Sequence, residues 1–150
     1  MTEQAIRQSL TTGAALKASG IKIDDCVSSP SPRAIRTLLA VQEGYGKMQY
    51  IRTDPRLSDL AYSHAEDIPR LKAHMAELGR GWDEPNIAKT IFDPNDKYSS
   101  LGEKLATDAH WAFIEAATAF KRTTLIATHG VGRIEPGLIF LRGQELHVPE

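Results

Sequence analysis

Ser29, Arg33 and His129 are the residues whose types and settings could grip an anion. Ser29 belongs to the run Val27-Ser28-Ser29-Pro30, which leads through Ser31-Pro32 to Arg33. Serine followed by proline marks a helix start, with serine at the cap and proline at the first helical position. A guanidinium in that first turn opposes the helix macrodipole, at about 0.3–1 kcal/mol when exposed. The free backbone N–H groups there attract anions instead, and arginine can meet a phosphate with two parallel bonds. Arg33 is therefore either a phosphate clamp or a solvated surface cation. His129 closes the apolar run Thr124-Leu125-Ile126-Ala127-Thr128 and precedes Gly130, where the backbone can turn sharply and present the ring. It is either a working imidazole or a buried ring satisfied by one carbonyl.

Those residues need strands to carry them. Glu3–Ser19 reads as a helix with Ile6, Leu10, Gly13 and Leu16 along one face, and Gly20 terminates it. Ile21–Ser28 reads as a short buried strand, and the helix from Pro32 brings Ile35, Leu38 and Leu39 inward before ending at Gly44. Met48–Thr53 is a second strand, broken by Asp54-Pro55. Ile68, Leu71, Met75 and Leu78 mark a helix closed by Gly79, with Ser63 and Glu66 at capping-box spacing ahead of it, although Pro69 sets the start nearer Asp67. The stretch 79–99 reads mostly as loop. Ser100 and Glu103 open the longest helix, through Leu105, Ala109, Ala112, Ala116 and Phe120. Thr123–Thr128 has the pattern of a fully buried strand, and Leu138–Val148 that of a terminal hairpin.

Helices alternating with apolar strands predict an α/β fold with a mostly parallel sheet. Ligands of such sheets bind outside the carboxyl ends of strands. If the strands ending at Ser28 and Thr128 are parallel neighbours, Ser29, Arg33 and His129 converge on one rim.

With 150 residues the chain is expected to form one domain over 1–150. The 18 Lys and Arg balance 19 Asp and Glu, which excludes a nucleic-acid binder working through bulk charge. No run of about 18 apolar residues offers a membrane span. A lone Cys26 and a polar opening segment fit a cytoplasmic protein. Cys26 is also a poor nucleophile candidate: it stands seven residues before Arg33 rather than six, with prolines between, and reads as a small strand hydrophobe. No histidine pair has metal-ligand spacing, so no metal site is expected. His64 could reach the pocket from a loop, whereas His74, His110 and His147 read as surface or packing residues. Trp82 could cover a substrate mouth or cap a core edge.

The segments Asp25-Cys26-Val27-Ser28-Ser29-Pro30, Arg33-Ala34-Ile35-Arg36-Thr37 and Thr124-Leu125-Ile126-Ala127-Thr128-His129-Gly130 resemble motifs of the histidine phosphatase superfamily, the phosphoglycerate-mutase-like proteins. Between them, Arg56-Leu57-Ser58-Asp59-Leu60 resembles the segment holding that family's acid. The resemblance covers most of Thr2–Gly130. It implies a three-layer α/β sandwich with phosphate held by Arg33, Ser29 and His129, and with His129 and Asp59 in catalytic roles. Glu66 and Asp67 are reserve candidates for the acid. The implied activity is phosphomonoester or phosphohistidine hydrolysis through a phosphohistidine, without a cofactor. The implied ligands are phosphorylated small molecules or phosphoproteins.

Family members open with a strand ending in Arg-His-Gly, whose histidine is the nucleophile, and this sequence contains no Arg-His-Gly. The expectation is a sheet lacking its first central strand, through a misplaced start or as a true short form. The alternative function is a non-catalytic module that binds phosphorylated ligands. Unpaired ladder groups beside a missing strand would favour self-association, so a homo-oligomer is a further expectation.

Overall fold

The computed structural model describes residues 1–118 and 123–130. The expected hairpin over Leu138–Val148, His147 within it, and Phe120 lie outside the described residues. The elements run α1 (Glu3–Ala18), β1 (Asp25–Ser28), α2 (Pro32–Tyr45), β2 (Arg52–Thr53), a 3₁₀ turn (Pro55–Leu57), α3 (Leu60–Ser63), α4 (Ile68–Glu77), α5 (Glu84–Ile91), α6 (Ser99–Thr118) and β3 (Thr124–Ala127). The strands form one parallel sheet in the order β2-β1-β3, so the α/β class with a parallel sheet is as expected. The described residues divide into two compact units, 1–58 with 114–118 and 123–128, and 59–113 with 129 and 130.

The first unit holds the sheet with α1 and α2. Asp25, Cys26, Val27 and Ser28 of β1 stand opposite Thr124, Leu125, Ile126 and Ala127 of β3. Ile23, Cys26 and Leu38 form the buried core, lined by Leu16, Tyr45, Ile51, Leu125 and Ala127. The strand expected over Ile21–Ser28 starts only at Asp25 because side chains take its earlier backbone groups. The Tyr45 hydroxyl donates to Ile21 O at 2.9 Å, and Gln49 Nε2 donates to Ile23 O at 3.0 Å. Gln49 N–H donates to Gln42 Oε1 at 2.9 Å, and the expected Met48–Thr53 strand is confined to its last two residues. β3 is half-buried throughout rather than fully buried, since among the described residues it is an edge strand paired with β1 alone.

Helix α2 does not stop at Gly44. It runs to Tyr45 and closes on Gly46 at φ +78°, a left-handed conformation that favours glycine. Gly44 serves packing instead. A Cβ there would meet Leu10 O at 2.0 Å, and one on Gly13 would meet Val41 O at 2.0 Å. The two glycines thus sit on facing helices, each receiving the other's backbone.

Asp54, almost fully buried, accepts Arg56 Nε at 3.0 Å and Nη2 at 2.7 Å, while Arg56 Nη1 reaches Glu115 Oε1 at 2.9 Å. The hydrogen bond from Arg56 holds the Asp54 carboxyl below its ordinary range, outweighing the opposing effect of burial. This fork pins the turn after β2 to the last part of α6.

In the second unit Leu60, Leu71, Met75, Ile87, Ile91, Leu101 and Leu105 make the core. The 79–99 stretch, expected to be mostly loop, contains α5. Its start signals were present: the Asp83 carboxylate accepts Asn86 N–H at 3.0 Å, and Pro85 sits in the first turn. Of the two expectations for His74, surface or packing, the structure shows packing, with its ring 5.4 Å from that of Tyr98. Its Nε2 lies 2.9 Å from Asp96 Oδ2.

Gly44→Ala should cost about 3 kcal/mol in urea unfolding, the upper range for forcing an extra carbon into a packed contact. Wild-type-like stability would mean α1 and α2 do not approach this closely in solution. Asp54→Asn should cost about 2 kcal/mol at pH 7, where the native bond to the carboxylate is intact. Because the native carboxyl titrates below its unfolded value, that stability is present above the ordinary value of 3.8 and is lost as pH falls below it. The gap between wild type and variant should therefore close in acid, and a gap constant from pH 7 to 3 would refute the assignment.

Candidate functional site

At the carboxyl end of β1, Ser28 and Ser29 are fully buried. The Ser28 hydroxyl donates to Ser29 O at 2.8 Å, and Ser29 Oγ accepts Ser31 N–H at 3.1 Å. Ser29 therefore shapes the turn that launches α2. Pro32 occupies the first helical position and Arg33 the second, exposed, as the Ser-Pro signal indicated. Ser31 makes no side-chain cap bond to the first turn. That leaves the 14-residue helix beginning beside an arginine rather than an acid.

The condition set for the rim holds in the first unit: β1 and β3 are parallel neighbours, and Ser29 N–H donates to Ala127 O at 2.8 Å. Beyond β3, the Thr128 hydroxyl donates to Leu57 O at 2.8 Å. This bond ties the chain just ahead of Asp59 to the chain just ahead of His129.

In the second unit those two residues meet. His129 is buried, and its Nδ1 lies 3.7 Å from Asp59 Oδ2. That is ion-pair range for a protonated ring and too long for a hydrogen bond. Asp59 is itself anchored. Its Oδ1 accepts Tyr62 N–H at 2.9 Å as the cap of α3, and its carbonyl accepts the Ser63 hydroxyl at 2.8 Å. A capped carboxylate beside a buried imidazole can favour the charged ring and fix its orientation.

Gly130 follows, exposed, with a second carboxylate against it. The Glu84 oxygens lie 3.5 and 3.8 Å from where a Gly130 Cβ would sit. Glu84 was not singled out by residue pattern because its helix was hidden in a segment read as loop.

His64 caps the end of α3, buried, with Nδ1 3.7 Å from Asp67 Oδ2. The expected Ser63–Glu66 capping box does not form, since α4 begins at Ile68 behind Asp67. Ligand atoms of His64, Glu66 and Asp67 lie within 4.8 Å of one another, one nitrogen and two carboxylate donors of a kind that divalent ions accept. Cys26 is fully buried, and desolvation raises its thiol pKa, which suits packing and not nucleophilic attack. Trp82 stays 41% exposed with Lys72 Nζ 4.8 Å from its ring centroid.

The family model of the histidine phosphatase superfamily (branch 1) matches residues 1–131. The chain belongs to this family. No curated protein matches it. The matched range takes in each strand end and loop that carries a candidate residue of this histidine phosphatase family member: Ser29, Arg33, Asp59 and His129. Among the described residues no helix is long and apolar enough to cross a membrane.

Asp59→Asn keeps an oxygen for the Tyr62 cap but removes the charge. The NMR resonances of the His129 ring should then shift, because the carboxylate 3.7 Å from Nδ1 is its neighbour. Unmoved resonances would show that the pair does not form in solution.

Proposed function

We propose that this histidine phosphatase family member recognises the phosphate group of a phosphomonoester, on a small molecule or a protein, through Arg33, the N-terminus of α2 and His129. The observation that carries the reading is the family match over 1–131, joined to the parallel β1–β3 pair whose carboxyl ends lead into Arg33 and His129. Arg33 supplies a planar guanidinium for two equatorial oxygens. The first turn of α2, where Ser31 makes no side-chain cap bond, adds the positive end of the helix dipole. Ser29 contributes by holding that turn. A protonated His129, oriented by Asp59, adds positive charge where it develops during phosphoryl transfer. The family resemblance gives Asp59 a different role, as the acid that protonates the leaving oxygen, which it fills only when it carries the proton itself.

Hydrolysis through a phosphohistidine requires a neutral imidazole nucleophile in addition. A second reading is phospholigand binding without turnover, in which the phosphate is held and no imidazole attacks it.

Two measurements on the full chain separate these. Inorganic phosphate at a hundred times its Kd should stabilise the fold by about 2.7 kcal/mol. Arg33→Ala should abolish that effect. Phosphate release from a generic phosphomonoester, lost in His129→Ala, would establish hydrolysis. Stabilisation without release would establish the binding module. No stabilisation and no release, or stabilisation undiminished in Arg33→Ala, would refute phosphate recognition at this site.

A further inference from the structure

A phosphate site is expected to be lined by cations and N–H donors, yet Glu84 sets a carboxylate against Gly130, one residue from His129. Asp59 already stands beside the His129 ring, so its charge has a local counterpart when that ring is protonated. Glu84 stands in the first turn of α5, where the helix dipole favours an acid, and its carboxylate lies beside Gly130. The residue is exposed, and α5 holds its backbone in place through the Asp83 cap. A fixed, solvent-facing carboxylate here weakens the hold on a bare dianion. It strengthens the hold on a ligand that brings its own positive charge.

We propose that Glu84 is a specificity residue that selects phosphate esters carrying a cationic amine over those carrying a carboxylate. The inference rests on the phosphate reading of His129 given above. With the phosphate at His129, the organic arm of the ester passes Gly130, and consecutive Cα atoms lie about 3.8 Å apart. An ammonium one or two carbons along that arm comes within reach of the Glu84 carboxylate. A carboxylate in the same place meets like charge.

The test is calorimetric titration of the full chain with inorganic phosphate, O-phosphoethanolamine and phosphoglycolate, the two esters being of similar length and opposite arm charge. The amine ester should bind about tenfold more tightly than the acid ester, as expected for switching one nearby charge pair from repulsion to attraction. Glu84→Gln, which preserves size and leaves the Asp83 cap intact, should weaken the amine ester, strengthen the acid ester and bring their ratio near one. Circular dichroism on the variant checks that α5 remains folded; should it unfold, Glu84→Asp, which shortens the carboxylate arm, should shrink the ratio without abolishing it. Equal affinities in the parent, or a ratio indifferent to both substitutions, overturn the role of Glu84 alone. Failure of inorganic phosphate itself to bind overturns the phosphate reading and this inference with it.

Discussion

The parallel pairing of β1 with β3 is the constraint on which the rest of the first unit depends. Residues almost a hundred positions apart are brought into register, Asp25 with Thr124 through Ser28 with Ala127. Two further bonds extend that register past the strand ends, Ser29 N–H to Ala127 O and Thr128 Oγ1 to Leu57 O. Parallel strands place both carboxyl ends at the same edge, where the chain leaves the sheet and polar side chains can serve a ligand. Were β3 antiparallel, the motif ending in His129 would emerge at the other end of the ladder.

The charge distribution follows from what each local structure tolerates. Arg33 stands in the first turn of α2, where an acid would be favoured, and a phosphate would restore the match. Arg56 is cationic for a different reason. It is forked between Asp54 and Glu115, so its charge is spent on holding the turn after β2. Asp59 is both a helix cap and the neighbour of a buried imidazole. A single carboxylate thus fixes where α3 starts and what His129 faces. Glu84 stands in the first turn of α5, the place a helix dipole favours for an acid, and stays exposed there.

Much of this was legible from residue order because the signals are local. Ser31-Pro32 announces a helix start, and Gly79 announces an end by adopting a φ value that other residues avoid. The apolar run ending in Thr128 reads as a strand whatever surrounds it. The failures have a common cause, the use of a residue by a distant partner. Ile21–Asp24 has strand composition, but Tyr45 and Gln49 take its backbone groups. Gly44 looks like a terminator until Leu10 is seen lying against it. Helix α5 was passed over because Gly79, Gly81 and Pro85 suggested a loop, although Ile87 and Ile91 complete a core assembled from α4 and α6 as well.

Residue order alone carried the α/β class, the helix starts at Pro32 and near Ile68, and the candidacy of Arg33 and His129, whereas Asp59 came from the family resemblance. Each of these rests on neighbours within a few positions, where backbone preference and side-chain periodicity act. Only the tertiary structure decided that β3 lies beside β1, that Asp59 faces the His129 ring, and that Glu84 lies against Gly130. Such pairings join residues from 46 to 99 positions apart, and are set by which surfaces bury together rather than by any local propensity.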